Sequence, residues 1–363
     1  MASHRTTIMD VARLAGVSKG AVSFALNGKP GVAAETRERI LAAARELGWT
    51  PSLRGRALSV SRSLAVGLVI ARPAETLGAD PFFAAFITGI ETVLSERGYA
   101  LMLQLVSDER SEHESYRRLA ASGRVDGVFL TDMRVGDVRP QLLTELGLPT
   151  VVIGHTHTSE PCSSVYIDDQ PGIVAAVEHL VALGHQRIDH VAGPVEFVHG
   201  LSRRAAWASA VRDAGLAPGV CITSDFSAQG GADATNQLLD LADPPTAIVY
   251  ANDLMAIAGM STAIGRGVDV PGQLSITGFD DTSLAAYLQP ALTTARTDVV
   301  GWGRASANRL LAIIGGEVGA EIDLPAPEFV IRASTAPPRH PGTGALSKDR
   351  RGPASIHHRT ESR

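Results

Sequence analysis

A chain of 363 residues, 45% of them hydrophobic, is long enough for two or three domains with well-buried cores. No apolar run approaches the roughly twenty residues of a membrane span, and no charged-then-apolar export signal opens the chain. The two cysteines, Cys162 and Cys221, stand far apart in no metal-ligand spacing, as reduced cytoplasmic thiols would.

The net charge of −5 argues at first against nucleic acid, yet residues 1–62 carry ten Lys or Arg against four acids. That leaves the first 62 residues at +6 and the rest at −11. A basic head on an acidic body is the asymmetry of a DNA-binding module joined to something else. Thr7 with Asp10 three residues on reads as a capping box ahead of the periodic Ile8, Val11, Ala12 and Ala15. Gly16 ends this first helix. Ser18 caps a second, Lys19 to Leu26, with Ala21, Val22, Ala25 and Leu26 inward. Two short helices joined through Ala15-Gly16-Val17-Ser18 have the layout of a helix-turn-helix, the second helix lying in the major groove. After Asn27 to Gly31 a third helix runs from Ala34 to Leu47, packing Ile40, Leu41, Ala44 and Leu47 inward until Gly48 stops it.

From Leu64 onward short apolar strands alternate with helices. The pattern predicts strands at 64–71, 99–106, 127–131, 150–154, 188–192, 247–250 and 274–279. Helices are predicted at 82–97, 112–121, 138–146, 170–184, 202–214, 232–241 and 253–265. Continuously apolar strands separated by helices imply parallel sheets covered on both faces. Two such runs of similar size predict two lobes, with a ligand in the cleft at the carboxyl ends of the strands.

Asp10-Val11-Ala12, Ala15-Gly16-Val17-Ser18, Val22-Ser23, Leu26-Asn27, Thr36-Arg37, Glu46-Leu47-Gly48 and Pro51 resemble the lactose and galactose repressor (LacI/GalR) family of bacterial transcriptional regulators. The resemblance runs on to about Pro337 through Leu183-Gly184-His185, Ala251-Asn252-Asp253, Gly278-Phe279-Asp280-Asp281 and Pro290 to Thr294. It implies a three-helix head (1–49), a hinge helix (50–62), a two-lobed body of the type I periplasmic-binding-protein kind that binds effector and dimerises (63–336), and a tail (337–363).

On that resemblance Lys19, Gly20 and Phe24 face the bases, with Ser18, Ser23 and Asn27 beside them. Lys19 can donate to guanine or to a phosphate, and Phe24 can pack on a thymine methyl unless it is core. Ala21 stands where the family commonly has Thr. Ala33 replaces a capping Ser, at about 1 kcal/mol. Arg56 and Leu58 match the hinge helix, Leu58 wedging into a minor-groove base step. Two such hinges in one groove require a homodimer on a pseudo-palindromic operator. The tail carries no leucine heptad of the kind that makes tetramers, and its composition predicts disorder.

In the body the resemblance gives Arg203, Asp280, Asn252 and Phe226 to the effector from one lobe, and Phe82 and Phe83 from the other. An arginine fork, an acid, an amide and flat apolar faces suit a carbohydrate, and equally a purine or nucleoside. Asp168, Asp169 and Asp281 read as turn or capping residues, Trp207 as core and Arg204 as a solvated neighbour. His155 and His157 lack a third partner for a metal. Asp280 and Asp281 are adjacent, so their carboxylates diverge rather than flank a scissile bond, and GxSxG, P-loop and GxGxxG are absent. The expectation is a cytoplasmic, effector-controlled repressor, neither enzyme nor cofactor protein. An activator, a purine-responsive repressor, a solute-binding protein and an enzyme with a DNA-binding head are the alternatives.

Overall fold

The computed structural model describes residues 6–26, 30–49, 62–72, 78–155 and 162–339. Asn27, Arg56, Leu58, His157 and the tail beyond 339 lie outside the described residues.

The head is three helices: α1 (Ile8–Ala15), α2 (Lys19–Leu26) and α3 (Ala34–Glu46). Asp10 accepts from both the backbone N–H (2.9 Å) and the hydroxyl (2.7 Å) of Thr7, so the capping pair read from the sequence is formed. Gly16 closes α1 in the left-handed region at φ 63°. Val11, Val22 and Ile40 are completely buried and form the centre of the small core. The predicted inner face of α3 is corrected at Leu41, which is 39% exposed; Ala43 takes the inward position instead. Leu41 follows Ile40 by one residue, about 100° around the helix, which carries it out of the stripe that Ile40, Ala43 and Ala44 set.

The body follows in chain order as β1 (Ala65–Ala71), α4 (Pro81–Arg97), β2 (Ala100–Val106), α5 (Glu109–Ser122), β3 (Val128–Leu130), α6 (Arg139–Glu145), β4 (Thr150–Ile153) and β5 (Ser163–Ile167). Next come α7 (Gln170–Ala182), β6 (Ile188–Ala192), α8 (Val198–Asp213), β7 (Cys221–Thr223), α9 (Ala228–Leu239), β8 (Ala247–Tyr250), α10 (Asp253–Gly265) and β9 (Ser275–Thr277). The last elements are β10 (Thr294–Arg296), α11 (Val299–Ile314), β11 (Glu321–Leu324) and β12 (Glu328–Val330). Strands β5, β7, β10, β11 and β12 and helix α11 escape the periodicity reading.

These elements fall into two compact units. Unit 1 holds the chain up to Asp168 with Glu196–His199 and Asp298–Ala326; unit 2 holds Asp169–Val195, Gly200–Thr297 and the chain from Pro327. Unit 1 is built on a wholly parallel six-stranded sheet in the order β11-β5-β4-β3-β1-β2. Val66, Leu68 and Ile70 alternate onto one face against Phe86, Ile90 and Leu94 of α4, while Val69 faces Tyr116 and Leu119 of α5. Phe86, Ile90 and Leu94 are fully buried, which stabilises by about 2 kcal/mol each in transfer terms. Full coverage fails at β2: as an edge strand it leaves Leu103 and Leu105 exposed. Helices α4 and α11 cross with their backbones in contact. A Cβ on Gly89 would run into the carbonyl oxygen of Val300, and one on Gly303 into that of Phe86.

Unit 2 has a parallel four-stranded sheet, β7-β6-β8-β9, and departs from the all-parallel expectation through the antiparallel pair β10-β12. Trp207, Val211, Ile173 and Val177 pack on Ile188 and Val249 to form its core.

Candidate functional site

The second head helix presents the surface that the sequence assigns to DNA. Ser18 caps it, accepting from the Ala21 N–H at 3.2 Å. Val22 and Ala25 are buried, so Lys19, Gly20 and Phe24 are turned outward and Ser23 is half-buried. Phe24 is 46% exposed, which sets it apart from the core that was its other reading. Two arginines of α3 fix the frame behind this surface. Arg37 donates to the carbonyl of Ala25 (2.6 Å) and Arg39 to that of Ala15 (3.1 Å), satisfying the last turns of α2 and α1. Ala33 at the start of α3 makes no side-chain cap.

In unit 2 the named residues gather where β6, β7, β8 and β9 end. Arg203, on α8, donates through Nε to Asp169 (2.7 Å) and through Nη1 to the carbonyl of Ala251 (2.6 Å), while its guanidinium carbon lies 3.8 Å from the centre of the Phe279 ring. Ser202 adds a bond to the same aspartate at 3.1 Å. Asp169 was read as a turn or capping residue; it makes no cap and instead orients the arginine. Asp280 follows β9 at φ 113°, and Phe226 follows β7 at φ 67° with its ring set into the space that a Cβ on Gly193 would fill. Asn252 is 4% exposed, and its amide has structural work. Oδ1 caps α10 by accepting from the Met255 N–H (2.9 Å), and Nδ2 donates to the Phe226 carbonyl (3.1 Å). Asp281 pairs with Arg296 (2.7 Å) and Arg332 (2.6 Å).

Behind these, Asp253 is wholly buried, accepting from the Thr294 hydroxyl (2.6 Å) and the Thr282 N–H (2.7 Å). Burial pushes its carboxyl up to about 6, against the pull of those bonds. Trp207 is core, with His190 stacked on it at 5.3 Å, and Arg204 is exposed.

In unit 1 the aromatic pair is drawn into the interior. Phe83 is 2% exposed, and Phe82 stacks on Phe86 (5.8 Å) with the Trp302 edge at 5.9 Å. Among the polar groups at this sheet's carboxyl end are Arg72, after β1, and Asp132, after β3, joined by two bonds of 2.7 Å. Neither carries a motif that would have marked it in the sequence. His155 packs on Tyr166 with ring centres 3.9 Å apart and planes tilted by 40°, and among the described residues no group of His, Cys, Asp or Glu is placed to hold a metal ion.

Electrostatically, the arginines near these strand ends are neutralised within each unit: in unit 1 Arg72 by Asp132, and in unit 2 Arg203 by Asp169, and Arg296 and Arg332 by Asp281 and Glu328. Each unit thus carries hydrogen-bonding arginines whose charge is already matched by carboxylates.

Comparison with known proteins finds relatives of both the head and the body. Residues 7–52 match the family described as bacterial regulatory proteins, lacI family, and residues 177–335 match the periplasmic binding protein-like domain. The transcriptional regulator CelR of Thermobifida fusca is 34% identical over 325 residues, 88% of this chain and 95% of that protein. The repressor CytR of Escherichia coli K12 is 32% identical over 333 residues, 91% of this chain and 96% of that one. Among solved structures, a CelR–cellobiose complex is similar at 33% identity and a TM-score of 0.70, covering 91% of this chain and 100% of that one. The lac repressor dimer bound to operator and the anti-inducer ONPF is similar at 29% identity and a TM-score of 0.77, covering 92% and 100%. The chain belongs to the lacI family of bacterial regulatory proteins.

Proposed function

We propose that this protein is a homodimeric transcriptional repressor whose heads bind a pseudo-palindromic operator. Its body takes a small neutral effector, a sugar or related metabolite, that changes operator affinity. The observation that carries this reading is the union, in one chain, of an outward-facing Lys19-Gly20-Phe24 helix with a strand-end site whose arginines are each paired with a carboxylate. A phosphate or carboxylate ligand would have to compete with Asp169 and Asp281 for those guanidiniums. A neutral polyol can instead bond to the pairs as they stand. CelR was solved with cellobiose, which is the same class of ligand.

The effector contacts are Arg203 and Asp280, with Phe226, 4% exposed, backing them and Asn252 holding its backbone in place. DNA contacts fall to Ser18, Lys19, Gly20, Ser23, Phe24 and Asn27, with Arg56 and Leu58 of the 50–62 connector reaching the minor groove. The exposed Leu103 and Leu105 of edge strand β2 supply apolar area for the dimer. Curated relatives are DNA-binding regulators, and we read this chain as a binder without chemistry or cofactor of its own. No helix among the described residues is long and apolar enough to cross a membrane, which fits work in the cytoplasm. To switch anything, the effector must bind one conformation better than the other; tight binding alone shifts nothing.

Selection from a random duplex pool, followed by gel shift with and without neutral sugars, tests the whole reading. A two-fold-symmetric site whose affinity changes with one sugar is the expected result. Failure to enrich any duplex would end it. A purine or nucleoside effector is the second reading, favoured by the PurR repressor of Photobacterium profundum, 32% identical over 291 residues, 79% of this chain and 86% of that one.

A further inference from the structure

On unit 2, helices α7 and α8 pack on the same core, and an open groove of about 760 Å³ runs between them. Val174, Val177 and Val181 of α7 form its floor with Ala206 and Ala210 of α8. Residues 174, 177, 178 and 181 fall on one stripe of their helix. The α8 side presents Ala205, Ala206, Ser209 and Ala210, whose side chains are too short to close the seam against the valines. Glu178 and Asp213, both exposed, stand on the rims, and Arg212 beside them donates to Ser209 (3.0 Å). Apolar surface left open between two helices favours a further apolar side chain that can be buried there.

The chain itself brings such a side chain to the end of the groove. Its last described segment is tied down beside the C-terminus of α7. His179 shares a hydrogen bond with the Thr335 hydroxyl (2.9 Å), and His185 donates through Nε2 to the Ala336 carbonyl (3.0 Å). Pro338 Cδ lies 4.0 Å from where a Cβ on Gly184 would stand, two residues past the end of α7, and Arg339 pairs with Asp269 (2.8 Å). Residues 340–363 follow, outside the described residues. Helix α7 has 13 residues and is about 20 Å long, a distance that roughly six extended residues span. Leu346 comes seven residues after Arg339, and it and Ile356 are the large aliphatic residues of the remaining chain. Lys348, Arg350 and Arg351 follow it closely. Residues 340–363 sum to +3, whereas residues 63–339 sum to −14. An apolar anchor trailed by basic residues thus meets an apolar floor with acidic rims.

We propose that the α7–α8 groove is the docking site of the chain's own segment 344–351, with Leu346 on the valine floor and Lys348, Arg350 and Arg351 at Glu178 and Asp213. Tethered a few residues from the groove, the segment is present there at an effective concentration on the order of millimolar, so a contact too weak for a free peptide still forms within the chain. The leucine supplies the burial. The exposed ion pairs orient the segment more than they hold it, and salt weakens them. The contact lies wholly within unit 2 and draws on neither DNA nor effector.

The test is zero-length carbodiimide crosslinking of the full chain, read by mass spectrometry on an equal mixture of isotope-labelled and unlabelled protein. The chemistry joins a lysine amine to a carboxylate, and Lys348 is the one lysine beyond Lys29. The expected product links Lys348 to Glu178 or Asp213 within one copy, at a yield independent of protein concentration. Leu346→Ser and Ala182→Arg should each lower that yield by about threefold or more, the loss expected when a tethered contact loses its apolar anchor or its space. Ala182→Arg places a cation in the last turn of α7, where the helix dipole favours it, and Leu346→Ser leaves every described contact in place. Both variants should therefore keep the wild-type melting temperature. Lys348 links spread over remote carboxylates such as Glu96 and Glu145, unchanged in both variants, would overturn the docking. So would the absence of any Lys348 link to the groove. Links between labelled and unlabelled copies that rise with concentration would give the groove to a second copy's tail and overturn the contact within the chain.

Discussion

Arg203 and Asp169 are held together at 2.7 Å with both side chains mostly buried, and the guanidinium carbon lies over the Phe279 ring at 3.8 Å. The arginine is thereby fixed before any ligand arrives, and preorganisation of this kind lowers the ordering cost of binding. Asp169→Ala should therefore weaken the effector about as much as Arg203→Ala, although Asp169 touches it only through the arginine. The broken pair should also lower stability by roughly 2 kcal/mol. Arg203→Lys should not rescue, because a single ammonium cannot serve Asp169, the Ala251 carbonyl and the ring together. Calorimetry on the three variants checks this; wild-type affinity in Asp169→Ala would show that the pair is structural only.

A second prediction concerns the crossing of α4 and α11. Since a Cβ at Gly303 would meet the Phe86 carbonyl, and one at Gly89 the Val300 carbonyl, no side-chain rotation can relieve the clash. Gly303→Ala should cost upwards of about 2 kcal/mol in chemical denaturation, against the small gain alanine gives an exposed helix. A neutral outcome would mean that the two helices can separate without loss.

Those glycines also explain what the sequence hides. Helix α1 is legible because its signals are local: Thr7 and Asp10 at one end, Gly16 at the other, and apolar residues at helical spacing between. In α11, Gly301 and Gly303 sit in the first two turns and read as a loop, yet Gly301 donates its N–H to the capping Asp298 and Gly303 makes the contact with α4 more than 200 residues earlier. Strands β7, β10 and β12 are three residues each, too short for any period to show. The strand-end residues divide in the same way. Arg203 and Asp280 of unit 2 belong to motifs, whereas the Arg72–Asp132 pair of unit 1 carries none and joins residues 60 apart in the chain. Asn252 shows the opposite difficulty. A residue at a strand's end is also the residue before the next helix, and the amide read as a ligand group caps α10.

In the head, stability and DNA contact should separate cleanly. Arg37 holds the α2 carbonyl at Ala25, so Arg37→Ala should destabilise by about 1 kcal/mol and lower DNA affinity through the frame. Lys19→Ala removes an exposed charge. The melting temperature should be unchanged while operator affinity falls. If Lys19 meets a phosphate, the slope of log affinity against log salt should drop by about one, equally for all sequences; if it meets guanine, specificity at that base should relax instead. Gel shifts over a salt series distinguish the two, and an affinity independent of Lys19 would remove it from the interface.

The final prediction is a compensation between two buried groups of unit 2. The Asp253 carboxyl is raised to about 6, chiefly by burial, whereas burial lowers His190, bonded through Nδ1 to the Val249 carbonyl at 2.7 Å, to about 4. For Asp253 the folded state keeps a proton that the unfolded chain releases near pH 4. Its contribution is therefore present below that value and is lost as pH rises through about 6. For His190 the folded state refuses a proton that the unfolded chain accepts near pH 6.5. Its contribution is present above that value and is lost as pH falls toward about 4. Within the same window the two slopes have opposite sign, each amounting to roughly 3 kcal/mol at most. Asp253→Asn removes a slope that falls with pH, so stability should climb more steeply with pH than in the wild type. His190→Gln removes a slope that rises with pH, so stability should climb less with pH than in the wild type, the half-buried His179 and the buried His185 still acting as His190 does. Urea titrations from pH 4.5 to 7 read these slopes independently of the absolute loss each substitution brings. Profiles parallel to the wild type in both variants would show that neither group titrates differently on folding.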